Sequence, residues 1–215
     1  MTTNLEDKVA IVAGAGSARG AAIALALAQA GARVVVNDIN PDRAERTAAA
    51  VRGAGYECLA ITADVANRFQ CVTLIEGARE QWGRIDILVN HAAVRPVAPI
   101  LKMDEWAWQR CLDVNLKGAF FMSQLVGRVM ADENQKRGGT IIHIGAEPAG
   151  ELPEVGAAAY AASKGGLAAF SRQCAQEYAP LGIRVHFIQP ESAVDKDQSN
   201  SEDGLVQTVL EHCCK

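Results

Sequence analysis

The sequence predicts a doubly wound parallel α/β sheet, and three observations carry that prediction. Short apolar runs rich in valine and isoleucine recur along the 215 residues. Longer segments of mixed polarity, suited to helices, separate them. The first apolar run opens directly into a glycine-rich turn, "AGAGSARG" at 13–20. Runs that are apolar at every position belong to strands covered on both faces, which is where parallel strands sit, and the intervening helices supply the crossovers such strands need.

Taken in order, "KVAIVAG" (8–14) is the first strand, followed by a helix over 20–31 that stops at Gly31. "RVVVND" (33–38) is the second strand, and Asn40-Pro41-Asp42 opens a helix over 41–54, with Pro41 in the first turn where its missing N–H does no harm. "CLAITAD" (58–64) leads to a helix over 67–81, closed near Gly83, and "IDILVN" (85–90) is the fourth strand. The span 103–131 is expected to hold two helices split near Leu112 and Asp113. "TIIHIG" (140–145), a helix over 157–179 and "RVHFIQ" (184–189) complete a six-stranded sheet. The polar stretch 195–203 is expected to be a surface loop, before a helix-like "GLVQTVLEHCC".

Composition narrows the possible functions. A chain of 22.8 kDa suits one domain over 1–215, large enough to bury roughly 70% of its unfolded surface. The net charge of -4, with both signs interspersed, provides no basic field for nucleic acid or an anionic membrane. Cys58, Cys71, Cys111, Cys174, Cys213 and Cys214 show neither a CxxC nor a Cys/His ligand spacing. No metal and reduced thiols in a cytoplasmic protein are therefore expected, with Cys213 and Cys214 adjacent by accident. The N-terminus lacks a signal-peptide pattern, and the apolar stretch 21–28 is too short to span a bilayer. A soluble, unexported protein is expected.

In such a sheet the ligand crevice lies beyond the carboxyl ends of the strands. Gly14, Gly16 and Gly20, with Ser17, Ala18 and Arg19 between them, form a strand-to-helix turn whose backbone can approach a pyrophosphate at a helix N-terminus. The competing reading is a tight turn and nothing more. Asp38, ending the second strand, can accept hydrogen bonds from a ribose hydroxyl pair and would repel a 2′-phosphate. Since neither Ile39 nor Asn40 is basic, NAD is favoured over NADP; Asp38 as a plain turn residue is the alternative. In "GAAAYAASKGG" (156–166), Tyr160 and Lys164 share one helix face a turn apart, so the ammonium can favour the ionised phenol.

These motifs together resemble the short-chain dehydrogenases/reductases, and within them the 3-oxoacyl-carrier-protein reductase-like branch, a Rossmann fold, from about Asp7 to Pro190. "AGAGSARG" is similar to T-G-x-x-x-G-x-G. "ADV" (63–65) matches an adenine-side Asp-Val, "ILVNHAA" (87–93) matches N-N-A-G, "DVNLKGAFF" (113–121) matches the segment carrying the family's Asn, and "YAASK" is Y-x-x-x-K. The resemblance implies an NAD(P)-dependent oxidoreductase acting on a small-molecule carbonyl or alcohol. In it Tyr160 moves the substrate proton, Lys164 lowers the phenol pKa and bonds the nicotinamide ribose, and Asn115 holds a water linking Lys164 to solvent. It also implies cofactor contacts at Gly14, Gly16, Ser17, Ala18, Arg19, Gly20, Asp38, Asp64, Val65, Asn90, Ala92, Tyr160, Lys164 and Pro190.

The departures from the pattern fall at catalytic and cofactor positions. Ala13 and Ala18 replace a Thr and a Gly, and Arg19 stands where an aliphatic residue is usual, so its guanidinium could bind the pyrophosphate directly. His91 and Ala93 replace Asn and Gly, and His91 is expected to be a satisfied supporting residue. The family's catalytic serine aligns with Ala146 or Glu147. Loss of such an oxyanion donor costs about 3 to 4 kcal/mol of barrier. Glu191 follows Pro190 where a glycine is usual, the substrate-covering segment is shorter, and the family's last strand is missing. Two classes follow: an NAD-dependent oxidoreductase with a weakened oxyanion site, or a dinucleotide-binding module acting as a sensor or subunit. A homodimer packed through Ala158, Ala161, Ala162, Gly165 and Ala169 is expected.

Overall fold

Strand β1 (Val9–Ala13) is buried at all five positions, as its unbroken apolar run requires. The computed structural model describes residues 4–134, 137–145, 155–190 and 201–213. Within them, β1 is joined by β2 (Arg33–Asp38), β3 (Cys58–Thr62), β4 (Ile87–Asn90), β5 (Gly139–Ile144) and β6 (Ile183–Ile188). The strands form one parallel sheet in the order β3-β2-β1-β4-β5-β6. The chain steps outward from β1 to β3 and then returns to place β4 on the other side of β1. That reversal opens a crevice above the carboxyl ends of β1 and β4, where Ala13 is in register with both Asn37 and Asn90.

Alternate residues of each strand feed two separate cores. On one face Ala10, Val12, Val34, Val36, Val89 and Ile142 pack against α1 (Ala18–Gln29), α2 (Pro41–Gly53) and α7 (Ser201–Cys213) through Ile23, Leu27, Val51, Leu205 and Val209. On the other face Ile11, Val35, Leu88 and Ile141 meet α3 (Arg68–Trp82) and α5 (Ala119–Asp132) through Leu74, Met122, Val126 and Met130. Each fully buried aliphatic side chain contributes roughly 1.5–3 kcal/mol, so the helical crossovers that parallel strands need also stabilise the sheet by covering both its faces. The helix α6 (Ala158–Tyr178) packs beside β6, and α4 (Glu105–Leu112) packs against α6.

Helix ends follow their capping chemistry. Ser17 accepts a hydrogen bond from Gly20 N, so α1 begins at Ala18, two residues ahead of the boundary expected from sequence. Asn40 caps α2 in front of Pro41, and α3 ends at Gly83, whose φ of 72° is left-handed. Two expectations are corrected. The span 103–131 changes at Leu112 and Asp113 as expected, yet the chain stays helical through a π turn, Asp113–Gly118, that links α4 to α5. Residues 201–203, expected in a loop, open α7. The expected loop residues 195–200, and Cys214, lie outside the described residues.

Candidate active site

The glycine turn after β1 is held by contacts that leave no room for side chains. Gly14 has φ +80°, and a Cβ there would lie 2.5 Å from Ala92 Cα. A Cβ on Gly20 would collide with Gly14 O, and one on Gly16 would meet Asp38 Oδ2 at 2.5 Å. Ser17 Oγ closes the turn by donating to Gly14 O and accepting from Gly20 N, both at 3.1 Å. Ala18 and Arg19 occupy the first turn of α1, which carries no acidic residue to oppose an anion at its N-terminus.

A crevice of about 290 Å³ runs from this turn along the ends of β2 and β4. It brings together Gly14, Ser17, Asp38, Asp64, Val65 and Ala92 from the expected set, with His91 and Val94 beside them. The Asp38 carboxylate already accepts from Gly16 N at 3.1 Å and from Asn40 N at 2.9 Å. Asp64 pairs with Arg110 at 2.9 Å and accepts from Ala66 N, which fixes one wall. Arg43 also lines the crevice next to Asp38, a cation that inspection of positions 39 and 40 alone overlooked. Its signal was its place three residues after the Asn40 cap, in the first turn of α2.

Tyr160 and Lys164 are not among the residues that line this crevice; they lie on the same side of α6. Lys164 Nζ is 5.7 Å from the Tyr160 ring centroid and donates to Ile144 O at 2.7 Å. Arg95 reaches the same ring, with Cζ at 5.3 Å from its centroid. Lys164 is only 5% exposed, and burial pulls its ammonium down to about 8, with Cys111 acting weakly in the opposite direction. Asn115 sits in the π turn, where its Oδ1 accepts from Val94 N at 2.8 Å. Its Nδ2 donates to Val94 O at 2.9 Å and Ser163 Oγ at 2.9 Å, and Cys111 Sγ lies 3.3 Å away. Ser163 in turn donates to Tyr160 O at 2.7 Å. Asn115 thus ties the loop after β4 to α6. Both ends of its carboxamide are engaged by the protein. Ser163 and Cys111 were missed from sequence. Each is one helical turn from a residue that was found, Ser163 from Tyr160 and Cys111 from Asn115.

The remaining expected residues are positioned differently. Asn90 is buried, and its amide is 3.4 Å from Ser123 Oγ inside the molecule, so its carboxamide is engaged away from the crevice. Pro190 is buried just beyond β6. Ala146 and Glu147 lie outside the described residues. His91 differs most from expectation. Its Nε2 is 3.1 Å from Ser17 Oγ, while Nδ1 is buried with no hydrogen-bond partner among the described residues. Burial, then the Lys164 and Arg19 charges, push this imidazole down to about 4, so it is neutral at ordinary pH. It is only half satisfied.

The residues present suit a dinucleotide. The glycine turn sits at the N-terminus of α1, where helix N–H groups suit a pyrophosphate, the Asp38 carboxylate lies against Gly16 on the crevice wall, and His91 Nδ1 is a buried atom in need of a partner. Among the described residues no group of three His, Cys, Asp or Glu side chains is arranged to hold a metal.

Comparison with known proteins agrees with this geometry. The model of the short chain dehydrogenase family matches residues 8–202. A 3-oxoacyl-[acyl-carrier-protein] reductase of Synechocystis sp. is 34% identical over 96% of this chain and 83% of its own length. The crystal structure of a metagenomic short-chain oxidoreductase in complex with NADP superposes with a TM-score of 0.87 at 30% identity, covering 98% of this chain and 92% of that one. That of an NAD+-bound xylitol dehydrogenase gives 0.80 at 33% identity, covering 86% and 70%. A glycine turn over the β1/β4 crevice, a Tyr-Lys pair on α6 and a family match across nearly the whole chain lead to one conclusion: this protein is a member of the short-chain dehydrogenase family.

Proposed function

We propose that this chain interconverts an alcohol and a carbonyl on a small molecule, with Tyr160 carrying the proton and Lys164 and Asn115 supporting it. When bound, a nicotinamide dinucleotide supplies or accepts the hydride. The observation that carries the proposal is the Lys164 ammonium, buried, fixed on Ile144 O and set beside the Tyr160 ring. A buried cation so placed favours a phenolate, and an unperturbed phenol titrates near 10, too high for a base at neutral pH. Asn115 contributes by fixing α6 to the loop after β4 through Ser163 and Val94. Gly14, Gly16, Ser17, Ala18, Arg19 and Gly20 would cradle the pyrophosphate. Asp64, Val65 and Ala92 would line the adenine and ribose path, with contacts at Asn90 and Pro190 made by backbone. The test is nicotinamide absorbance turnover on a panel of polyols, hydroxy acids and ketones, compared with Tyr160→Phe. Turnover by the variant equal to that of wild type would overturn the assignment.

NAD is the proposed cofactor, because the Asp38 carboxylate stands where a 2′-phosphate would arrive. Arg43 on the same wall favours a second reading, in which NADP is also accepted through its guanidinium. Titration with NADH and NADPH separates the two: NADPH binding as tightly as NADH would favour the second.

The assembly we propose is a homodimer in the cytoplasm. Ala161, Ala162, Gly165 and Ala169 form an exposed small-residue stripe on α6 beside an open groove lined by Leu116, Phe120 and Phe170. A monomer in analytical ultracentrifugation at micromolar concentration would refute it. No helix among the described residues is long and apolar enough to cross a membrane.

A further inference from the structure

The half-satisfied imidazole of His91 can be assigned a tautomer by counting protons. Ser17 Oγ has one hydrogen, which is directed to Gly14 O, and it already accepts from Gly20 N. Its second lone pair is then open to His91, 3.1 Å away, so Nε2 of His91 is the donor. A neutral imidazole carries one N–H, so Nδ1 is a bare acceptor, buried and without a partner among the described residues, on a side chain that lines the crevice. Buried acceptors in native proteins are paired, and an unpaired one destabilises the protein that holds it. Protonation does not relieve it, because burial and the neighbouring Lys164 and Arg19 charges disfavour the imidazolium.

We infer that His91 is a cofactor-binding residue whose Nδ1 accepts a hydrogen bond from a hydroxyl or amide N–H of the bound dinucleotide, coupling the cofactor through Nε2 to Ser17 and the glycine turn. This rests on the dinucleotide site proposed above. It assigns a role to a side chain that replaces the family's usual asparagine, and it gives the free protein a local polar deficit that ligand binding removes. The site therefore links stability to occupancy: the feature that weakens the free protein strengthens the complex.

The experiment compares the full-length wild type with His91→Phe, which keeps a planar ring and removes both nitrogens. NADH and NADPH affinities are measured by calorimetry, and melting temperature is measured without ligand. The expected result is a higher melting temperature for the free variant together with a dissociation constant raised about 10-fold. A merely supportive histidine gives the opposite pair, a lower melting temperature and unchanged affinity, and that result overturns the inference, as does a site in which water alone satisfies Nδ1. If the variant does not fold, wild-type protein decides the question: the ¹⁵N resonance of His91 Nδ1 is expected to move on adding dinucleotide, and an unmoved resonance refutes the assignment. Wild-type protein that binds neither dinucleotide overturns the site itself. Wild-type binding with an unaffected variant overturns only the role of His91.

Discussion

Two histidines in this molecule, one fully buried and one partly so, carry the same electrostatic signature and differ in what surrounds them. His91 and His143 are each pushed down to about 4, first by burial and then by the Lys164 charge, joined for His91 by Arg19. His143, on β5, lies between Ser123 Oγ at 2.9 Å and Ser171 Oγ at 2.6 Å, and stacks on Phe170. Both of its nitrogens are occupied within the protein. His91, a residue of the crevice lining, has one occupied nitrogen and one orphan. A depressed pKa reports burial and nearby charge, whatever the purpose of the group. Whether a polar group belongs to the fold or to a ligand is told by the completeness of its hydrogen bonds.

The strongest test of that contrast begins with the reactive pair. Tyr160→Phe should lower turnover by about 10²- to 10⁴-fold while the melting temperature stays within a few degrees, because the half-buried phenol serves chemistry more than packing. His143→Leu should do the reverse. With Ser123 and Ser171 deprived of their shared partner in a fully buried site, chemical denaturation should show a loss of about 2–4 kcal/mol, and dinucleotide affinity should hold. If affinity falls as far as in His91→Phe, the distinction between the two histidines fails.

Lys164→Met carries a pH signature. The folded-state pKa of Lys164 is depressed to about 8 from 10.5, so between those values the unfolded chain binds more protons, and wild-type stability rises with pH. The stability of the free Met variant relative to wild type should therefore fall by about 3 kcal/mol between pH 8 and about pH 10.5, as unfolding curves across that range would reveal. On the acid side the histidines have the same sign. Both stay neutral in the fold, so their titration costs no stability above about 6.5, and stability is lost as pH falls toward 4. His91→Phe should flatten that acid loss, and His143→Leu should flatten it by a similar amount. The smallest effect expected is at Arg43: Arg43→Ala should change NADH affinity by less than about threefold and weaken NADPH more, since an exposed cation contributes only about 1 kcal/mol.

The strands were legible because burial on both faces imposes an unbroken apolar run, and Asn40-Pro41 announced α2 through capping chemistry that acts within four residues. The glycine turn and the Tyr160-Lys164 pair were legible for the same reason, each being a local spacing. The π turn was visible only as a discontinuity near Leu112, because widening a helical turn by one residue has no compositional mark. The bond between His91 and Ser17 joins residues 74 apart in the chain, and only the parallel register of β1 and β4 brings them together. Arg43 was overlooked because a helix entry folds its first turn back toward the preceding strand, which places a residue several positions from Asp38 against the same crevice.

The π turn, Asp113–Gly118, has a consequence for how this sequence can change length. Each residue of a regular helix turns the chain by about 100°, so the extra residue in the wide turn sets the phase of everything after it. Deleting one residue there would regularise the helix and rotate Met122, Val126 and Met130 off the sheet they cover, and would break the grip of Asn115 on Val94 and Ser163 in the same step. Gly118 narrows the tolerance further, since a Cβ there would press on Val65 Cγ2 at 2.9 Å. Insertions and deletions should be tolerated at the outer loops and refused in these six residues, where one reading frame of helical phase serves both the core and the Tyr160 site.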